Sequence, residues 1–319
     1  MIRILLSALL AIAASATLVA QAATPAASAA ASGPRPSEVT ALTGAPLSAP
    51  DPLPNAAKLE ADLAAAREAW RQHPDDPGAL IWVGRRLGYL WRYRESIDAF
   101  TLGIERFPDD ARFYRHRGHR YITVRDFPRA QADLEKAAQL IVGKTDEIEP
   151  DGMPNRANQP RTTLAYNTWY HLGLVHYLQG DYEGALAAYR ELLKTEAANN
   201  NDSIVAVSDW MWMSLMRLGR KDEAMALLDR ITPDMPLLEN DSYHRRLLMY
   251  KGLQTPDRLL DPATADGTDL ATQGYGVANY YLVTGQPDKA RAVLDRIVAG
   301  TAWNAFGYIA AEADLSRMQ

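Results

Sequence analysis

The stretch Trp169–Lys194, WYHLGLVHYLQGDYEGALAAYRELLK, constrains this chain more than any other. Trp169, Leu172, Gly173, His176 and Tyr177 recur three or four apart, which places them on one face of a helix. Gly180 and Asp181 break that helix, and Ala185, Leu186, Tyr189, Leu192 and Leu193 give a second apolar stripe at the same spacing. The small residues Gly173 and Ala185 let the two backbones approach closely, with Trp169 and Tyr189 filling the space beside them. A lone helical hairpin cannot bury both stripes, so it needs similar hairpins stacked on each side.

The order Trp169, Leu172-Gly173, Tyr177, Gly180-Asp181-Tyr182, Ala185, Tyr189 resembles the tetratricopeptide repeat, a unit of about 34 residues. Related spacings follow along the chain. One repeat spans about 77–110 and a second about 111–144, then come the unit at 166–199, a fourth at 205–238, a degenerate fifth from Tyr243 and a sixth at 271–304. In the fourth, Trp212 stands where the small residue of the first helix is expected. Helices at 55–72 and 303–319 flank the array, and the latter is expected to turn Glu312, Asp314 and Arg317 outward as a polar cap. The resemblance implies an all-α, right-handed α-α superhelix of about six repeats over residues 55–319. Segments GHRY (118–121), EPDG (149–152) and WYHLGL (169–174) are also similar to a group of exported bacterial tetratricopeptide proteins.

The remaining segments read differently. Arg3, the apolar run Ile4–Val19 and Ala20-Gln21-Ala22 have the form of a secretory signal over residues 1–22, cleaved near Ala22. Residues 23–54, rich in Ala, Pro and Ser, are expected to be a disordered linker. A periplasmic or secreted protein with no stable membrane span after cleavage follows. Residues 145–163 carry three prolines and no apolar period, so they form an inserted loop that either edges a binding face or is a plain surface loop.

The absence of cysteine excludes disulfides, thiolate metal sites and a cysteine nucleophile. No nucleotide-binding loop, serine-nucleophile elbow or metalloprotease helix is present, so neither a catalytic residue, a metal ligand nor a cofactor is assigned. The acidic net charge of −5 and the lack of a nucleic-acid motif argue against nucleic acid as a partner.

In such arrays the first helices of successive repeats line a concave groove. That resemblance implies Arg85 and Tyr89 from the first repeat, Arg112, Arg115 and His119 from the second, and Asn167, Tyr170 and Tyr177 from the third as groove residues. The clamp that some relatives use for two carboxylates is not matched, because its Lys and Asn positions hold Ile81 and Arg85 here. Residues 77–144 nevertheless carry a net +5 and residues 145–319 a net −8, which suits acidic groups at the N-terminal end. The leading expectation is a non-enzymatic adaptor for a protein or peptide with acidic groups. Two alternatives stand beside it. One is a metal-dependent or otherwise catalytic protein centred on His116, His119, His171 and the 145–163 loop. The other is self-assembly of the basic half of one molecule on the acidic half of another.

Overall fold

The computed structural model describes residues 37, 39–150, 152, 155–260 and 267–318. The expected signal at 1–22, the linker up to residue 36 and part of the inserted loop lie outside the described residues. Fourteen helices are formed among the described residues: α1 (Ala56–Gln72), α2 (Pro77–Tyr89), α3 (Tyr93–Arg106), α4 (Ala111–Thr123), α5 (Phe127–Ile141), α6 (Leu164–Gln179), α7 (Tyr182–Leu192), α8 (Asn201–Arg217), α9 (Lys221–Leu227), α10 (Asp241–Tyr250), α11 (Pro256–Leu259), α12 (Gly267–Val283), α13 (Pro287–Val298) and α14 (Phe306–Arg317). They pack as successive antiparallel hairpins, α2 with α3, α4 with α5, α6 with α7, and onward to α12 with α13. This is an all-α solenoid.

One contact recurs inside the hairpins. A methyl group built on Gly84 would lie 2.5 Å from the Phe100 ring, one on Gly118 2.8 Å from Leu134, and one on Gly173 2.3 Å from the Tyr189 ring. Each glycine thus lets a large residue of the second helix seat against the backbone of the first. In the fourth hairpin Trp212 holds that position, and its ring leaves the hairpin to stack on Tyr250 of α10 at 3.7 Å and 4°.

The helix starts divide the chain. Side chains of Asp76, Asp110, Asp126, Thr163, Asp181 and Asn200 accept from the first amides of α2, α4, α5, α6, α7 and α8. By contrast α9, α10, α11, α13 and α14 start without a side-chain cap, as do only α1 and α3 among the earlier helices. The turns inside the hairpins divide in the same way. Gly180, Gly219, Gly252 and Gly285 take positive φ after the first helices of the last four repeats, whereas Trp91 (φ 61°) and Arg125 (φ 65°) do so in the first two. A left-handed conformation costs a non-glycine residue about 1 kcal/mol or more, so these two turns need compensating contacts.

Those contacts come from the far end of the chain. Trp303 packs edge-on against Trp91 and Tyr93 at 4.9 and 5.5 Å, and Arg125 makes a buried ion pair with Glu312 (2.9 Å) while donating to the Trp303 carbonyl (2.8 Å). Helix α14 is therefore not an outward polar cap. Glu312 and Asp314 are buried, Asp314 pairs with Arg217 (2.6 Å), and Arg317 donates to the Leu178 carbonyl of α6. The helix packs on the α12–α13 hairpin and reaches α6, so it ties the end of the array back to its third repeat.

Residues 39–54 also depart from expectation. Val39–Thr40 (β1) pairs antiparallel with Pro46–Leu47 (β2), and Val39, Ala41 and Leu47 bury into the main core. The Trp303 indole donates to the Ser48 carbonyl (2.7 Å). Ala, Pro and Ser content suggests a spacer, but three apolar side chains at the right spacing are enough to dock it.

Candidate functional site

The solenoid leaves a small cleft of about 140 Å³ between α2 and α4, lined by Arg85, Tyr89, Phe100, Arg115, His116, His119 and Arg120. Helix α2 supplies Arg85 and Tyr89 one turn apart, and the Arg85 guanidinium lies over the Trp82 ring at 4.3 Å, within 3.4 Å of the Tyr89 hydroxyl. Helix α4 supplies the rest of the polar lining.

The inserted loop closes one side. Its base is pinned by the Glu149 amide donating to Thr162 O (3.1 Å), by Leu164 N donating to Glu147 O (2.9 Å), and by the Ile148–Thr163 bridge. Glu149 is thereby pushed inward. Its Oε2 takes Arg115 Nη2 at 3.0 Å and the Asn167 amide, and its Oε1 lies 3.0 Å from His116 Nε2, out of line for a full hydrogen bond. Arg115 Nη1 approaches His116 Nδ1 at 2.8 Å. A guanidinium can only donate, so Nδ1 accepts and the His116 proton sits on Nε2, facing Glu149. His116 is stacked on Phe100 at 5.3 Å.

Charge in the cleft is one-sided. Burial, with the Arg115 charge next, pushes His116 down to about 4. Burial and Arg115 likewise take His171 to about 3, and burial with Arg120 takes His119 well below the usual imidazole range. All three are neutral at pH 7. Burial alone raises the Glu149 carboxyl, but the Arg115 charge beside it reverses that and holds it well below the usual carboxylate range. His119 contacts Arg120 Nη2 and lies 4.4 Å from the His171 ring, while His171 uses Nδ1 to donate to the Asn167 carbonyl. Arg120 lies 5.6 Å from the centre of the Tyr93 ring.

Of the expected groove residues, the fold brings Arg85, Tyr89, Arg115 and His119 together and sets Asn167 behind Glu149. Three do not join them. Arg112 is clamped by Asp110 and lines a separate, wider cavity of about 630 Å³ with Asp109, Lys144 and Glu147. Tyr170 and Tyr177 are core residues. The Trp210 indole donates to the Tyr170 hydroxyl, and Tyr177, fully buried, bonds Tyr275 across the array at 2.7 Å. They are not available to a partner, because the first helices of the third and sixth repeats meet where an open superhelix would separate them. Sequence spacing missed Arg120, which sits five residues from Arg115 and so on a different flank of α4. It reaches the cleft because Gly88 of α2 gives it room, a methyl there lying 2.8 Å from Arg120 Nη1.

A cation at His116, His119 and His171 would sit among Arg115 and Arg120, which repel it. Among the described residues, no group of three or more His, Asp or Glu is placed to hold a metal. No described helix is long and apolar enough to cross a membrane.

The model of the tetratricopeptide repeat family matches residues 166–199. The solved structures that the chain is similar to include YrrB, described as a TPR protein with an unusual peptide-binding site (15% identity, 80% of this chain and 98% of that one, TM-score 0.41). They also include a tetratricopeptide repeat protein from Parabacteroides merdae (12%, 79% and 92%, TM-score 0.48) and a thermophilic TPR protein from Thermus thermophilus (20%, 64% and 98%, TM-score 0.41). No curated protein matches the chain. At these scores the likenesses add nothing to what the hairpins themselves show.

Proposed function

We propose that this chain, a tetratricopeptide-repeat protein, is an exported, non-enzymatic adaptor that captures acidic groups of a protein or peptide partner at its N-terminal repeats. The observation that supports this most is the cleft between α2 and α4, where Arg85, Arg115 and Arg120 meet a single described carboxylate, Glu149. Peptide binding is the ordinary use of a repeat array, and it needs no catalytic residue. Export rests on the form of residues 1–22. Because Tyr170 and Tyr177 are buried among α8, α10 and α12, the partner's footprint falls on α2, α4 and the rim formed by the 145–163 loop rather than along all six repeats.

Selection from a random peptide library on the chain lacking residues 1–22 tests this. Acidic sequences are expected to be enriched, to bind more weakly as salt rises, and to lose binding in Arg85→Glu. Arg85 suits the reversal better than Arg115, which is buried against Glu149. Enrichment of neutral or basic peptides, or unchanged binding by the Arg85 variant, would falsify the reading.

A further inference from the structure

The other buried arginines of the chain are each matched to a carboxylate. Arg125 has Glu312 at 2.9 Å, Arg217 has Asp314 at 2.6 Å, Arg246 has Asp209 at 2.7 Å, and the largely buried Arg117 has Asp133 at 2.7 Å. The cleft between α2 and α4 breaks that pattern. Arg115 has Glu149, but its Nε has no partner among the described residues. Arg120 contacts His119 and Tyr93, and Arg85 contacts Trp82 and Tyr89, with no carboxylate paired to either side chain among the described residues.

Guanidinium groups keep their charge at any physiological pH, so an excess in this half-buried cleft cannot be removed by losing a proton. Among the described residues, three guanidiniums against one carboxylate leave an excess of two positive charges. Arg85 lowers the proton affinity of both Arg115 and Arg120, so the three feel one another's charge. The aromatic faces of Trp82 and Tyr93 ease the cost of holding the cations, but they do not neutralise them. A space of about 140 Å³ admits one compact group and not a run of side chains.

We infer that this cleft is a binding site for a single doubly charged oxyanionic group, held by the guanidiniums of Arg85, Arg115 and Arg120. The Tyr89 hydroxyl and the neutral imidazole of His119 line the same cleft, His119 holding Arg120 in place. The forked donors of arginine match the paired oxygens of a phosphate or of two adjacent carboxylates. The inference rests on the adaptor reading in using the same cleft, and it specifies the group recognised there: a dianion in preference to a lone carboxylate.

The test is calorimetric titration of the chain with orthophosphate, malonate and acetate at constant ionic strength. Phosphate and malonate are expected to bind one per chain, with acetate weaker by roughly tenfold or more. Arg120→Gln is expected to weaken phosphate by roughly tenfold, whereas Arg112→Gln, outside the cleft, leaves it unchanged. Arg85→Gln, at a partly exposed position, serves if the Arg120 variant fails to fold. No saturable heat, equal affinity for acetate, or an equal effect of Arg112→Gln would overturn the inference. A peptide with two adjacent aspartates, titrated against malonate, distinguishes a dianion carried by a partner from a free one. Peptides that bind while neither phosphate nor malonate does sink the dianion site and spare the adaptor. Phosphate that binds while no peptide does sinks the adaptor and spares the site.

Discussion

The N-terminal repeats and the C-terminal half are built from the same hairpin but held by different means. From α2 to α8 the helices mostly start on side-chain caps, the glycine-to-large-residue contact recurs, and two of the three cations in one cleft have no carboxylate among the described residues. At the starts of α9, α10, α11, α13 and α14 the caps disappear, and the C-terminal helices instead tie back to earlier ones through ion pairs and bonds: Arg125–Glu312, Arg217–Asp314, Arg246–Asp209 and Tyr177–Tyr275. One half is specified largely by local contacts, its two non-glycine turns apart, and keeps charge in reserve. The other spends its charge on itself. Helical arrays can thus leave a functional surface in one part by closing another with their own chain.

The largest expected effect tests the closed half. Glu312→Ala leaves Arg125 buried without its partner and is expected to cost about 3–5 kcal/mol in denaturant unfolding. Replacing both residues by apolar ones of similar size is expected to cost far less. If the single change costs no more than a surface mutation, the two halves are not held differently.

Acidification probes the open half. His116 and His171 have folded values near 4 and 3, below the unfolded value of about 6.5. Their neutral burial is fully tolerated above pH 6.5, and stability is lost as pH falls from there toward pH 4, at about 1.4 kcal/mol per pH unit for each fully buried imidazole. His116 faces Arg115, Glu149 and Arg85, and Glu149 adds to the loss below pH 4.5 as it takes up protons more readily unfolded than folded. Asp209 in the closed half tilts the profile the other way. Burial pushes it up to about 7 against the pull of Arg246, so its contribution improves as pH falls through that range. Thermal unfolding across pH 4–7 is expected to show a net loss on acidification, and His116→Gln to flatten it. A flatter profile in wild type than in the variant would assign the slope elsewhere.

The smallest effect concerns the caps. Asp76→Ala removes the acceptor of Gly78 N at the start of α2 and is expected to cost about 1 kcal/mol in the same unfolding assay.

How far the residues themselves reveal this can be judged from particular cases. The hairpins are legible because Gly173, Tyr177, Ala185 and Tyr189 interact within one repeat, so their spacing carries the contact. The use of Glu312 and Asp314 is not legible, since their partners lie 187 and 97 residues away and a row of charges on a terminal helix reads as a wet face. Tyr170 and Tyr177 are assigned to a groove on the premise of an open array, and packing against α8, α10 and α12 turns them into core. Arg85, Arg115 and His119 are found from position alone, whereas Arg120 depends on the space that Gly88 leaves on the facing helix.

The turns at Trp91 and Arg125 also carry a consequence in time. An ordinary repeat array can fold hairpin by hairpin as it leaves the ribosome, each unit needing only its neighbour. Here the first two hairpins hold left-handed, non-glycine turns whose compensating partners, Trp303 and Glu312, emerge about two hundred residues later. Through much of synthesis those turns stand without the contacts that offset them, until Trp303 and α14 arrive to supply them.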